Sequence, residues 1–171
     1  MSTLYITKSA WRQIEQAVLR DTSVETGGIM MGYPLGQHDW VITYASEPGP
    51  RAIHEPRSIY FDDQYLRRLV RRLNRRGAGK WRYIGDWHSH TVRKLSPSRG
   101  DKMTIWQKTV TAAYNSNSPL MLIAGVGKHN QVQARAFILA NSLREIKQVS
   151  LIGRQELRQL VRTQTSLDAN G

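Results

Sequence analysis

Of the five histidines in this chain, at positions 38, 54, 88, 90 and 129, only one pair is close enough in sequence to act together. His88 and His90 stand at the end of Trp81–His88, whose alternation reads as a strand. Residues two apart on a strand point to the same side, so both imidazoles can face one metal without distorting the backbone. By itself such a pair at a strand end is more often solvated or hydrogen-bonded than metal-bound, and a third ligand alters that balance. Asp101 falls at the start of the following helix, where a chain returning from the strand can bring a carboxylate beside the two rings. Ser98-Arg-Gly-Asp101 also fits a capping box, and an aspartate there favours the positive end of the helix dipole. The two roles are compatible, because a capped, rigid helix start is a good place from which to present a ligand.

Cysteine is absent, which excludes disulfides, thiol nucleophiles and every zinc site built on thiolate. It also removes the base deaminases, whose zinc motif needs Cys ligands. Two histidines and one carboxylate leave the fourth tetrahedral position of zinc open, the arrangement of catalytic rather than structural sites. Zinc lowers the pKa of a bound water toward roughly 7, and a nearby glutamate can take its proton and hand it to a leaving amine.

The elements that must position these residues follow from periodicity. After an apolar stretch, Leu4 to Ile6, Ser9 can cap a helix with Trp11, Ile14 and Val18 at core-facing spacing, ending near Asp21. Glu25 to Gly32 reads as a strand with glycines at both ends, and Asp39 to Ser46 as a second. The loop Glu47 to Arg57, with Pro48, Pro50 and Pro56, is expected to be irregular. Leu66, Leu69, Val70 and Leu73 mark an amphipathic helix over Asp62 to Arg76. A helix after Pro97 carries Trp106, Val110, Ala113 and Tyr114 on one side. Strands at Leu120 to Val126 and Gln131 to Ala140 follow, then a strand near Ile146 to Leu151, a short helix around Leu157 to Val161 and a frayed end. The expectation is an α/β fold with a central mixed sheet flanked by helices. Residues 1–140 form the core, and a C-terminal extension, 141–171, packs on it with its last residues disordered.

The motif string carries a family resemblance. Glu25 in an E-T-G-G-x-x-x-G setting, His88-Ser-His90, Ser98 and Asp101 resemble the full JAMM signature of MPN-plus metallopeptidases. YIGDWHSH, PSRGD and Trp106 are similar to the bacterial branch found beside ubiquitin-like conjugation enzymes. The resemblance spans Glu25 to Asn141. It implies a single MPN-type domain, one catalytic zinc ion held by His88, His90 and Asp101, Glu25 as general base and then acid, and Ser98 as the donor to the tetrahedral oxyanion. The implied reaction is cleavage after the C-terminal glycine of a ubiquitin-like modifier or a conjugated protein. In the bacterial branch this means deconjugation in antiphage systems, including those that attach a cGAS-like nucleotidyltransferase, or processing of modifier precursors. Thr91 stands where many members have proline, so the loop after the second histidine is expected to take its own path.

Nearby residues have simpler expectations. Asp86 sits two before His88, can share its face and can hydrogen-bond a ligand imidazole, though a surface aspartate or a buried, hydrogen-bonded one fits at least as well. Trp87 points to the core, and Ser89 contributes backbone groups only. Gly27 and Gly28 either mark an irregular strand start or let the backbone approach the reacting water.

Lys plus Arg number 25 against 13 Asp plus Glu, a net charge of +12, which attracts acidic proteins, nucleic acid or anionic lipid without choosing among them, and equally serves to keep a small domain soluble. The densest charge is Arg67, Arg68, Arg71, Arg72, Arg75 and Arg76, on the polar face of one helix. A solvated face explains that helix, and an acidic protein partner docking there is the second use considered. A rival reading of another class is a basic nucleic-acid-binding domain with an incidental histidine cluster; a rival of the same chemistry trims a sulfur-carrier-type precursor. A metal-free scaffold is disfavoured because every ligand position and Glu25 are present. The first residues contain no signal-peptide h-region, and no run of about 18 apolar residues exists to span a membrane. The expected location is cytoplasmic.

Overall fold

A computed structural model describes residues 2–77 and 80–168. The elements in chain order are β1 (Thr3–Thr7), α1 (Lys8–Arg20), β2 (Gly27–Leu35), β3 (Asp39–Ala45), β4 (Ile53–Glu55), β5 (Ser58–Tyr60), α2 (Asp63–Arg76), β6 (Arg82–Ser89), α3 (Arg99–Val110), β7 (Leu120–Val126), β8 (Val132–Leu139), β9 (Leu143–Ile146), β10 (Gln148–Ile152) and α4 (Arg154–Asp168). Eight strands form one mixed sheet in the order β10-β1-β3-β2-β6-β7-β8-β9, and β4 and β5 form a separate hairpin. The pairs β10/β1, β1/β3 and β6/β7 are parallel, and the remaining pairs are antiparallel. The architecture is α/β, a large mixed sheet flanked by helices.

Lys147 alone separates β9 from β10, although the two strands pair with opposite ends of the sheet order. A residue advances the chain by no more than about 3.6 Å, so the sheet must curl until one extended segment serves both β8 and β1. Helix α1 lies in the resulting concavity, against β1, β3, β7, β8 and β10. Its buried Ala10, Ile14, Ala17 and Val18 join Leu4, Ile6, Met30, Ile42, Trp87 and Leu122 in the main core. The opposite face of the sheet is covered by α2, with Leu66, Leu69, Val70 and Leu73 over Ile29, Met31 and Tyr83. A smaller cluster, Leu95, Ile105, Met121, Ile123 and Phe137, lies beneath α3.

Several expectations are corrected. Ser9 lies within the first turn of α1; the N-cap is Thr7, extended at φ −63° and ψ 143°, whose hydroxyl accepts the Ala10 N–H. Because β1 enters α1 without a loop, the last strand residue doubles as the cap. The segment 47–57 is not wholly irregular: β4 pairs with β5 through a turn at Pro56-Arg57. Proline is tolerated there because a turn position can forgo its N–H. Helix α3 ends at Val110, and its outer side carries Trp106 and Val110, 60% and 68% exposed. The groups it turns inward are Ile105 and Lys108, while Tyr114 is buried beyond its end. The expected single strand near 146–151 is two, β9 and β10, and α4 is longer than the expected 157–161. Residues 169–171, where a frayed end was expected, lie outside the described residues. Among the described residues no helix is long and apolar enough to cross a membrane.

Asp62 caps α2 by accepting the Tyr65 N–H at 3.1 Å and receives the Arg51 guanidinium at 3.2 Å through both Nε and Nη2. The hydrogen bonds from Arg51 hold its carboxyl below the ordinary range.

Truncating Ile14 to Ala empties the centre of the α1 contact and should cost about 2–5 kcal/mol in a denaturant titration; a change near zero would mean that α1 does not fill the sheet's concavity. Asp62→Asn keeps a capping oxygen but removes the charge. A carboxyl lowered by folding stabilises above its unfolded pKa, so the stability gap to the wild type should be full at neutral pH. It should narrow as the pH falls below about 4, and a gap that widens in acid would contradict the Arg51 pairing.

Candidate metal centre

Strands β2 and β6 pair with Gly27 opposite His88 and Gly28 opposite Trp87, and their register shifts between Met30 and Met31. The extra residue on β6 puts Tyr83 on the same side as Asp86 and His88, facing α2 and α3, while Ile84 and Trp87 join the main core. Close strand packing requires glycine at 27 and 28. An added Cβ would stand 2.4 Å from the Trp87 carbonyl oxygen or 2.0 Å from that of Ser46. Strand contact thus accounts for both glycines without an approach to the reacting centre.

His88 and His90 face each other across 3.1 Å between their Nε2 atoms. Asp101 reaches both, with Oδ1 at 3.3 Å from His88 Nε2 and Oδ2 at 3.5 Å from His90 Nε2. One ligand atom from each residue fits within a 4.8 Å span. Bonds of roughly 2.0–2.1 Å to a tetrahedral zinc ion would place neighbouring ligand atoms about 3.3 Å apart, so the donor set and its spacing fit such an ion. The tautomer fits too. His90 Nδ1 lies 2.9 Å from the Lys94 carbonyl, which can only accept, so Nδ1 carries the hydrogen and Nε2 of the neutral ring keeps its lone pair for the cluster.

Helix α3 presents Asp101 through a complete capping box. Ser98 Oγ accepts the Asp101 N–H at 3.1 Å, and Asp101 Oδ2 accepts the Ser98 N–H at 2.7 Å. Capping uses a lone pair of Ser98 Oγ and leaves its O–H free to donate. Burial works to raise the Asp101 carboxyl, but hydrogen bonds from His88 and His90 hold it well below the ordinary range. The bond to Asp101 in turn raises His90.

Glu25, 8% exposed, lines a cleft of about 510 Å³ together with His88, Ser98 and Asp101. Burial pushes its carboxyl up, opposed by His90 and His88. The hairpin holds its backbone: Glu25 N–H donates to the Glu55 carbonyl at 2.8 Å, and His54 Nδ1 lies 2.9 Å from the Glu25 carbonyl. His90 also lines a second depression, with Ser89 and Thr91. His38, His54 and His129 are exposed and lie outside the cluster.

The partners of several supporting groups carried no sequence signal. Ser89 does more than supply backbone: its hydroxyl accepts the Thr26 N–H at 2.9 Å, while its own N–H donates to the Thr26 carbonyl at 2.7 Å. Thr91 donates its hydroxyl to the Pro56 carbonyl at 2.7 Å, tying the loop after His90 to the β4–β5 turn. Asp86, fully buried, bonds the Tyr83 hydroxyl at 2.9 Å and pairs with Lys108 at 3.5 Å. Burial pushes its carboxyl up, against the Lys108 ammonium and the Tyr83 hydroxyl. Tyr83 takes Oδ1, Oδ2 has the Lys108 ion pair but no hydrogen bond, and Asp86 makes no hydrogen bond to either imidazole. Lys108 also sits 4.0 Å from the centre of the Tyr114 ring. Lys108, which faces Asp86 across α3 and β6, shows no local spacing by which it could be found.

A family model described as prokaryotic homologs of the JAB domain matches residues 7–139. A Vibrio cholerae protein named CD-NTase/cGAS isopeptidase is 28% identical over 114 residues, 67% of this chain and 70% of that one. An Escherichia coli protein of the same name is 30% identical over 125 residues, covering 73% and 74%. A probable metalloprotease of Sinorhizobium fredii is 29% identical over 122 residues, covering 68% and 74%. In fold alone, the solution structure of a Desulfitobacterium hafniense protein superposes with a TM-score of 0.67 at 16% identity, over 89% of this chain and 94% of that one. With the family match running from Thr7 to Leu139, most of its length, this chain belongs to the prokaryotic JAB-domain family.

Proposed function

We propose that the protein is a zinc-dependent peptidase or isopeptidase that cleaves after the C-terminal glycine of a ubiquitin-like modifier or a conjugated protein. The observation that carries this reading is the cluster of two imidazoles and a carboxylate at zinc-ligand spacing, of which His88 and Asp101 line one cleft with a buried glutamate. The names of the Vibrio and Escherichia relatives support an isopeptide substrate, and that of the Sinorhizobium relative supports a metal.

His88, His90 and Asp101 would hold the ion, which when bound supplies a Lewis acid and a water ionisable near neutral pH. Glu25, raised by burial, takes the proton of the attacking water and returns it to the leaving amine. The Ser98 hydroxyl, whose hydrogen the capping box does not use, donates to the oxygen of the scissile carbonyl as negative charge develops there. Deconjugation and precursor maturation use the same chemistry.

Metal analysis combined with turnover of a glycine-terminated conjugate tests the reading. Wild type and Glu25→Ala should both retain zinc, with cleavage in the wild type alone. Cleavage by the variant would reassign the base, and a wild type that binds no zinc would remove the proposal. Ser98→Ala should retain zinc and lose roughly 10²–10³ in kcat, less than Glu25→Ala loses; an unchanged kcat would take the donor role away from Ser98.

A further inference from the structure

Helix α2 has two opposed stripes. Leu66, Leu69, Val70 and Leu73 are buried against the sheet, and Arg68, Arg71, Arg72 and Arg75, two positions further round, occupy the opposite side. These four arginines are exposed and, with Tyr65 and Leu69, line a groove of about 620 Å³. Among the described residues no carboxylate pairs with any of the four. The helix's own Asp63 is engaged by Arg67 at 2.6 Å, and Asp62 by Arg51. Like charges three and four residues apart oppose the helix they stand on, and a solvated face needs only mixed polar residues. The row is also entirely arginine, whose planar fork suits bidentate recognition of oxyanions.

The same helix forms part of the wall of the cleft that contains Glu25 and His88, through Asp63 and Arg67. A protein held in that cleft and extending across α2 meets the arginine row next. Resting on the peptidase reading, we infer that the Arg68–Arg75 face is a docking site for an acidic surface on the protein substrate. It holds the substrate while its glycine terminus occupies the cleft. From Arg68 to Arg75 the row rises by seven residue steps, about 10.5 Å of helix, a footprint suited to a cluster of carboxylates on a folded partner.

Two fluorogenic peptides provide the test, one ending in a short glycine-terminated sequence and one adding a ten-residue glutamate tract through a Gly-Ser linker of about 20 residues, roughly 25 Å in mean span. In the wild type the tract should lower KM at least about tenfold with kcat unchanged. Arg68→Glu/Arg72→Glu/Arg75→Glu should abolish that advantage while cleaving the bare peptide normally, and the milder triple Gln variant should lose most of it. Equal KM values in the wild type, or equal losses on both peptides in variants whose thermal midpoint is unchanged, would overturn the inference. Anisotropy of the labelled tract, at about 50 and 300 mM salt, reads docking without turnover. Salt-sensitive binding by wild type and none by the Glu variant supports docking even if neither peptide is cleaved, a result that would instead defeat the peptidase reading. A 20-bp DNA duplex that binds the row more tightly than the tract would assign it to nucleic acid and overturn docking of an acidic protein.

Discussion

Two imidazole nitrogens 3.1 Å apart, with a carboxylate against both, are a costly arrangement for a chain to maintain. The lone pairs of two neutral rings repel at that distance unless a proton or a cation stands between them. Much of the local structure supports this contact. The bulged pairing of β2 and β6 selects the face on which His88 emerges, the Lys94 carbonyl sets the His90 ring, and the reciprocal cap at Ser98 fixes Asp101 from a different element. Each support is itself a hydrogen bond to backbone, so the cluster is no more adjustable than the main chain around it.

Rigidity on the opposite side of the cleft comes from the small hairpin. It holds the Glu25 backbone through the Glu55 carbonyl and the His54 ring, and its turn is bound by Thr91, the residue that departs from the family's usual proline. Proline stiffens a loop through its own ring, whereas threonine here fixes the loop to a neighbouring element. The loop behind the histidines and the strand beside the glutamate are therefore mechanically linked.

The cluster was legible in the sequence because its parts are local: a two-residue spacing on a strand, and a capping pattern that places Asp101 at the first turn of a helix. The amphipathic run of α2 was legible for the same reason. Contacts made at a distance were not. Lys108 reads as a surface lysine until β6 supplies Asp86 beneath it, and without that anchor Trp106 and Val110 look like the inward stripe of α3, although they face solvent. Three prolines concealed the hairpin, since the sequence does not show that one of them falls in its turn. The roles of Thr7 and Ser89 depended on where a strand meets a helix and where two strands end together.

The extended segment shared by β8 and β1 has a consequence for the life of the chain. Unpaired strand edges invite association with other molecules, and here both are concealed by residues 143–152, which follow every other strand of the sheet in chain order. Until they emerge during synthesis, the seam stays open on both flanks, and the sequence distance between β1 and β10 makes its closure a slow, non-local event. Solubility of the nascent protein is thus governed by a few residues far from the histidines and the aspartate, acting as the fastener of the whole sheet.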